Sequence, residues 1–234
     1  MSLVERFRHE LARTPDGDLL PDRLARVCTA LLPVDGAGLS AALLPDHRLP
    51  LGASDPVAAA AERLQFTLGE GPCLTAQQTR TRVVAATVEE LRDRWPVYTL
   101  QLTGLTPFCS VLSTPVGGSL SGVVALDLYR SASGPLAEDV LAAVADVADA
   151  VGEALAGDLA EDGDLQLGLP PLLRTPAIDA RQRVWLAIGQ LAGVQGSTTS
   201  AALATLRALA FRHGIDIDAA ADRVLTGEIT LPAP

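Results

Sequence analysis

Residues 179–231, DARQRVWLAIGQLAGVQGSTTSAALATLRALAFRHGIDIDAAADRVLTGEITL, fall into three helical segments separated by clear punctuation. From about Arg181, the apolar Val184, Ala187, Ile188 and Leu191 recur at helical spacing until GVQGST interrupts them. Ser197, Thr198, Thr199 or Ser200 can accept the first free N–H bonds of a second helix, which runs through Leu203, Leu206 and Leu209 and stops at Gly214. Asp216 or Asp218 can cap a third, in which Ile217, Ala220, Ala221, Val224 and Leu225 keep an i, i+3, i+4, i+7, i+8 pattern and Gly227 follows the end. The stretch therefore predicts a small, separate three-helix unit.

On the second helix Leu203, Arg207 and Phe211 stand four apart in one row, with Arg212 and His213 at its end. A guanidinium beside an aromatic ring suits RNA, because unpaired bases stack on flat groups and phosphates need cationic donors. The same spacing also fits Phe211 as plain core and Arg207 as a surface charge lying along it.

The run AIGQLAGVQG, then ALATLRALAFRHG, then AADRVL resembles an ANTAR domain, with its alanine-x-glycine, its leucine-arginine and its alanine-rich third helix. The resemblance implies binding to RNA stem-loops in nascent transcripts and transcription antitermination. It points to Arg183, Ala187, Gly189, Arg207, Phe211, Arg212 and His213 as RNA-binding residues. Leu186 and Ile188 depart from the family's polar or basic positions, and Thr226, Gly227 and Glu228 replace a basic cluster. From residue 175 onward five arginines face five acids, so the electrostatic contribution to RNA binding is weak.

The chain of 234 residues is long enough for two domains, and 48% apolar content supplies a core. Its formal charge of −10 lies ahead of residue 175, where nucleic acid is repelled. Cys28, Cys73 and Cys109 show neither a disulfide framework nor metal-ligand spacing, which fits reduced thiols and a cytoplasmic location. Neither a signal peptide nor a membrane-spanning run is evident, and no metal or cofactor motif is present.

Toward the N-terminus, Leu3, Val4, Phe7 and Leu11 stripe a short helix that breaks between Thr14 and Gly17. A second helix from about Pro21 buries Leu24, Val27, Cys28 and Leu31 and closes at Pro33. Residues 37–44 and 49–53 read as paired strands around a PDHR turn. A short helix, a glycine-rich loop and a second small helix follow, and then strands at 110–115 and 122–129 joined across VGGSLS.

LQFTLGEGPC, followed by RWPVY, SVLSTPV and GVVALDLY, resembles the GAF domains that precede ANTAR units in actinobacterial regulators. The resemblance implies an α+β sensor, an antiparallel sheet flanked by helices, with a ligand pocket between the sheet and its covering helices. Glu70, Cys73, Trp95, Tyr98, Cys109 and Tyr129 are its candidate lining. Read without the family, the aromatics fill core, and GEGP is a turn and helix start in which Gly69 and Gly71 give backbone freedom. Cys73, after Pro72 at a helix start, is also a candidate for a thiol of lowered pKa that senses oxidants.

A long helix opening at Ser133 or Pro135 and running to about residue 156 carries Val140, Val144, Val147, Val151 and Leu155. That stripe suits either a partner helix in a homodimer or the chain's own sheet. The organisation expected is a GAF-like sensor and dimerisation domain at 1–157, an acidic Pro/Gly linker at 158–178 and the all-α ANTAR-like unit at 179–234. The function expected is a signal-responsive RNA-binding antiterminator, controlled by an unknown small molecule or protein, without enzymatic activity. The alternative is a ligand-sensing or protein-interaction dimer whose terminal unit no longer binds RNA. Catalysis is excluded on local motifs: the histidines His9, His47 and His213 form no pair, and neither a nucleophile elbow nor a phosphate loop appears.

Overall fold

The computed structural model describes residues 1–15, 18–44, 47–161 and 175–229. Helix α1 (Leu3–Arg13) starts in a capping box between Ser2 and Glu5, and α2 (Leu20–Leu31) follows with a proline in its first turn. Strands β1 (Gly36–Leu44) and β2 (His47–Ala53) pair antiparallel, with register shifts between Leu39 and Ser40 and between Ala42 and Leu44. Helix α3 (Pro56–Leu68) is capped by Asp55 and ends at Gly69, whose φ of +74° is the left-handed conformation glycine adopts freely. Then come α4 (Pro72–Thr79), β3 (Val83–Ala85), α5 (Val88–Arg94), α6 (Pro96–Leu105), β4 (Ser110–Pro115), β5 (Val124–Arg130) and α7 (Glu138–Glu161).

These strands form one five-stranded antiparallel sheet in the order β2-β1-β5-β4-β3. Alternation along the strands sends successive side chains to opposite faces, so the sheet has two apolar layers. One packs β1, β2 and β5 against α1, α2 and α7 around Phe7, Leu24, Leu39, Leu126 and Val147. The other gathers Ala61, Leu91, Tyr98, Leu102, Phe108 and Tyr129 beneath α3, α5 and α6.

The chain ends in α8 (Pro176–Gln195), α9 (Thr199–His213) and α10 (Ile217–Leu225). Thr175, Thr198 and Asp216 accept the first free N–H bonds of the three helices, while Gly196 and Gly214 close α8 and α9 in the left-handed region. Val184, Ala187, Leu191, Leu203, Leu206, Ile217 and Val224 form their common core, and Phe66 of α3 is part of it. In the other direction, Ile178 of α8 packs into the layer of α1, α2 and α7.

Several expectations change. β3 pairs with β4 at the sheet edge although the sequence reading gave it no strand; its three residues are too short for a periodicity to show. Helix α7 begins at Glu138, not at Ser133 or Pro135. Val144, Val147, Val151 and Leu155 are buried in the layer beneath their own sheet, the second of the two uses open to the stripe, while Val140 at its start is half-buried. Of the expected linker, 158–161 belongs to α7 and 176–178 to α8; 162–174 lies outside the described residues, as do Gly17, the first half of the PDHR turn and 230–234.

Candidate functional site

Between β1, β2 and β5 and the inner face of α3 lies a buried polar centre built around Arg48. Its Nη2 lies 2.8 Å from Ser40 Oγ, 3.0 Å from Glu62 Oε2, 3.4 Å from Asp127 Oδ2 and 2.6 Å from Cys73 Sγ. The two N–H bonds of that nitrogen are thus shared among four partners. Gln65 Nε2 donates to Asp127 Oδ2 at 2.9 Å and to Tyr129 OH at 3.2 Å, and its Oε1 accepts the Cys73 amide at 2.8 Å. The Tyr129 hydroxyl donates to Glu62 Oε1 at 2.6 Å.

The local sequence explains how α3 reaches this depth. A Cβ on Gly38 would stand 2.5 Å from Glu62 Cγ, and one on Gly71 would stand 2.5 Å from Gln65 Oε1. Both positions must therefore be glycine for the helix to approach. Gly38 pairs directly across from Asp127, which brings the carboxylates of β5 and α3 onto one face.

Burial sets the electrostatics. It works against the charge on Arg48, yet Cys73, Glu62 and Asp127 together hold the guanidinium above its ordinary value. Burial, then the neighbouring Asp127, raise Glu62 well above the usual carboxylate range. Burial raises the Cys73 thiol despite the pull of Arg48, so the sequence-based expectation of a lowered thiol pKa is corrected. Tyr98 and Tyr129 are raised by burial and by the two acids. Arg48 Nη1, Asp127 Oδ1, Ser113 Oγ and Tyr98 OH are buried without a hydrogen-bond partner among the described residues. The cavity bordering Ser40, Arg48, Glu62 and Phe66 measures about 10 Å³, the space of one water at most.

Of the predicted lining, the structure brings together Cys73, Tyr98 and Tyr129. Trp95 packs in the same apolar layer with Arg94 4.2 Å over its ring and without a polar contact to the centre among the described residues. Glu70 accepts the Tyr98 amide at 2.6 Å and so satisfies a free N–H in the first turn of α6. Cys109 is half-exposed beside the Pro107 carbonyl, away from the centre. Arg48, Glu62, Gln65 and Asp127 were missed. Their signal is an acid inside the otherwise apolar VALDLY and a Glu/Gln pair three apart on the same face of α3 as Ala58 and Ala61.

The second assembly joins α3 to the terminal helices. Arg181, 1% exposed, pairs with Asp218 at 3.2 and 3.5 Å and lies with its Cζ 3.7 Å from the centre of the Phe66 ring. Arg207 reaches the same ring at 5.3 Å and donates from Nε to the Phe66 carbonyl at 3.1 Å. The Ile217 amide donates to Thr67 Oγ1 at 3.3 Å, and Arg63 stands 4.0 Å from Asp216. Beside this joint, β2 and α3 face α8 and α10 across a cleft of about 660 Å³ bordered by Pro50, Ala59, Glu62, Arg63, Ala180 and Asp218.

The residues predicted to touch RNA separate here. Phe211, 62% exposed, stands with the exposed Arg212 and His213 at the end of α9, which removes its reading as core. Arg207 is half-buried on α3. Arg183 is exposed on α8 and paired with Asp222, and Gly189 is exposed on the same helix. Ala187 is fully buried in the three-helix core, so it offers RNA no contact in this arrangement.

No protein-family model matches the chain, and no curated protein matches it in sequence. Solved structures do share its fold. The GAF domain of a phosphoenolpyruvate-protein phosphotransferase from Coxiella burnetii is 14% identical, with 69% of this chain and 95% of that one covered and a TM-score of 0.52. A domain described as belonging to a two-component sensor histidine kinase protein of Sinorhizobium meliloti 1021 is 11% identical, with 63% and 96% covered and a TM-score of 0.50. At such identities the likeness establishes the fold alone: the N-terminal part of the chain is a GAF-like domain. Free methionine-R-sulfoxide reductase from Neisseria meningitidis, in complex with its substrate, is also among the similar structures, at 13% identity, 68% and 89% coverage and a TM-score of 0.49. Enzymes thus stand among the chain's structural neighbours, and the exclusion of catalysis drawn from missing local motifs is withdrawn. Among the described residues no helix is long and apolar enough to cross a membrane, and no cluster of metal-ligating side chains occurs.

Proposed function

We propose that this chain is a signal-responsive RNA-binding regulator in which the GAF-like domain senses a small molecule or protein and α8 to α10 act as an ANTAR-like antitermination unit. The observation that carries this reading is the double use of α3. Its inner face supplies Glu62 and Gln65 to the polar centre, while Phe66 and Thr67 at its end hold Arg207 and Ile217 of the terminal helices. A signal that moves α3 therefore moves the grip on the terminal unit. The cleft of about 660 Å³ has the size of a small-molecule site and is bordered by both parts of the chain, so a ligand there acts on their docking directly.

The exposed end of α9 supports the RNA output. Phe211 offers a face for an unpaired base, and Arg212 and His213 offer donors to phosphate. Two copies engaging tandem loops would gain affinity from their linkage. Because α7 covers its own sheet, such a homodimer uses another surface, for which the exposed Leu186 and Val194 of α8 are candidates.

The test is binding of the full chain to a tandem stem-loop RNA and to a matched DNA duplex across a salt series, for the wild type, for Phe66→Leu and for a Phe211→Ala, Arg212→Ala variant. RNA binding that weakens with salt and falls on the order of tenfold in the double variant supports the reading. Absence of RNA binding by both the wild type and Phe66→Leu at low salt overturns it and favours the protein-interaction alternative.

A further inference from the structure

We infer that the end of α3 and RNA compete for Arg207, so that the arrangement described here is the RNA-unready state and undocking of α3 is the activating step. The inference rests on the RNA reading of α8 to α10 and specifies how that site is regulated. Phe66 lies in the last turn of α3, where helix carbonyls lack an intrahelical amide and carry the negative end of the helix dipole. A guanidinium is a fitting partner for such a carbonyl, and Arg207 Nε supplies the hydrogen bond at 3.1 Å. Directed at that carbonyl, the Nε–H is not directed at a phosphate. With one side of the guanidinium against the Phe66 ring, that side is closed to a stacked base.

The terminal unit meets α3 at further points that hold it in this pose. Ile217, the first residue of α10, is anchored to Thr67, the neighbour of Phe66 in sequence. The Phe66 ring occupies a place in the core of α8 to α10 between Arg181 and Arg207. Two cations share one ring because Asp218 balances Arg181 and the helix end balances Arg207. Glu62 and Gln65 precede Phe66 on the same short helix, so displacement of α3 at the polar centre shifts the carbonyl that Arg207 grips.

The experiment measures RNA affinity of the full-length wild type, Phe66→Leu and Thr67→Ala, together with amide hydrogen exchange at Ile217 with and without RNA. Phe66→Leu keeps an apolar side chain while removing the ring, and Thr67→Ala removes the anchor alone, so the pair guards against loss of folding. Competition predicts tighter RNA binding, on the order of tenfold, in both variants and faster exchange of the Ile217 amide when RNA is added. Equal affinity in all three proteins, with Ile217 protection unchanged by RNA, overturns the inference while leaving RNA binding intact. RNA binding by none of the three overturns the functional reading and this inference with it.

Discussion

Arg48 and Arg181 are both withdrawn from water, at 3% and 1% exposure, yet they sit in different kinds of surroundings. Every partner of Arg48 among the described residues, from Ser40 to Asp127, belongs to the GAF-like domain and closes on it from β1, α3, α4 and β5. Arg181 divides its interactions. Its charge meets Asp218 of the terminal helices, and its flat face meets Phe66 of the other part. Should the two parts separate, Arg181 would keep its counter-charge and lose a ring. Arg48 has no such option, because removing it takes the shared donor from two acids in a dry interior. The same chemical group therefore makes a fixed core in one place and a separable joint in the other.

The largest test of that contrast is Arg48→Met beside Arg181→Met. Arg48→Met leaves Glu62 and Asp127 buried without their shared donor and is expected to lower unfolding free energy by about 3–5 kcal/mol in a denaturant titration. Arg181→Met leaves Asp218, whose side chain retains 15% exposure and gains access to water when the joint loosens. Its loss should be clearly smaller. An equal or larger loss for Arg181→Met would reverse the comparison and make the joint part of the obligatory fold.

How much of this was legible in sequence follows the same division. The punctuation of the terminal helices could be read directly, since Thr198, Gly214 and Asp216 act on backbone groups within four residues of themselves. The paired strands β4 and β5 were equally local. The polar centre was not, because its members come from five elements and no window of sequence contains more than a fragment. The hydrogen bond of Glu70 was hidden for a similar reason: the amide it satisfies lies 28 residues away, and its place in a glycine-rich loop does not reveal that use. The α7 stripe gave the spacing of a packed face without saying what packs on it. Arg207 and Phe211 share one row of α9, but the turn that follows Arg207 carries that row from α3 into solvent.

A pH titration sharpens the comparison at intermediate size. Glu62 in the centre and Asp218 at the joint are both raised in the folded chain, foremost by burial. A raised carboxyl holds its proton in the folded state after the unfolded chain has released it, so its contribution is fully present below the unfolded value, about 4. It is lost as pH rises through the folded value. Stability should therefore decline from about pH 4 upward, by at most about 1.4 kcal/mol per pH unit for each such group. Glu62→Gln should flatten most of that slope and Asp218→Asn the lesser part, because Asp218 is balanced by Arg181 and is less completely buried. A wild-type slope that neither variant alters would place the titration elsewhere.

The smallest effect is expected at the rim of the joint, where Asp216 has two duties. Its Oδ1 accepts the Ala219 amide at 2.8 Å and caps α10, and its Oδ2 stands 4.0 Å from Arg63 across the joint. The cap is local to the terminal unit, whereas the ion pair spans the two parts with both side chains over 40% exposed. Asp216→Ala removes both and should cost about 1 kcal/mol, the usual value of an N-cap. Asp216→Asn keeps a cap-competent oxygen and removes the charge, and it should cost well under that, because an exposed pair at this separation is weak and screened by salt. If Asp216→Asn instead loses as much as Asp216→Ala, and the loss disappears in high salt, then the rim charge holds the joint closed. The docking of Arg207 on α3 would then respond to ionic strength as well as to the state of the polar centre.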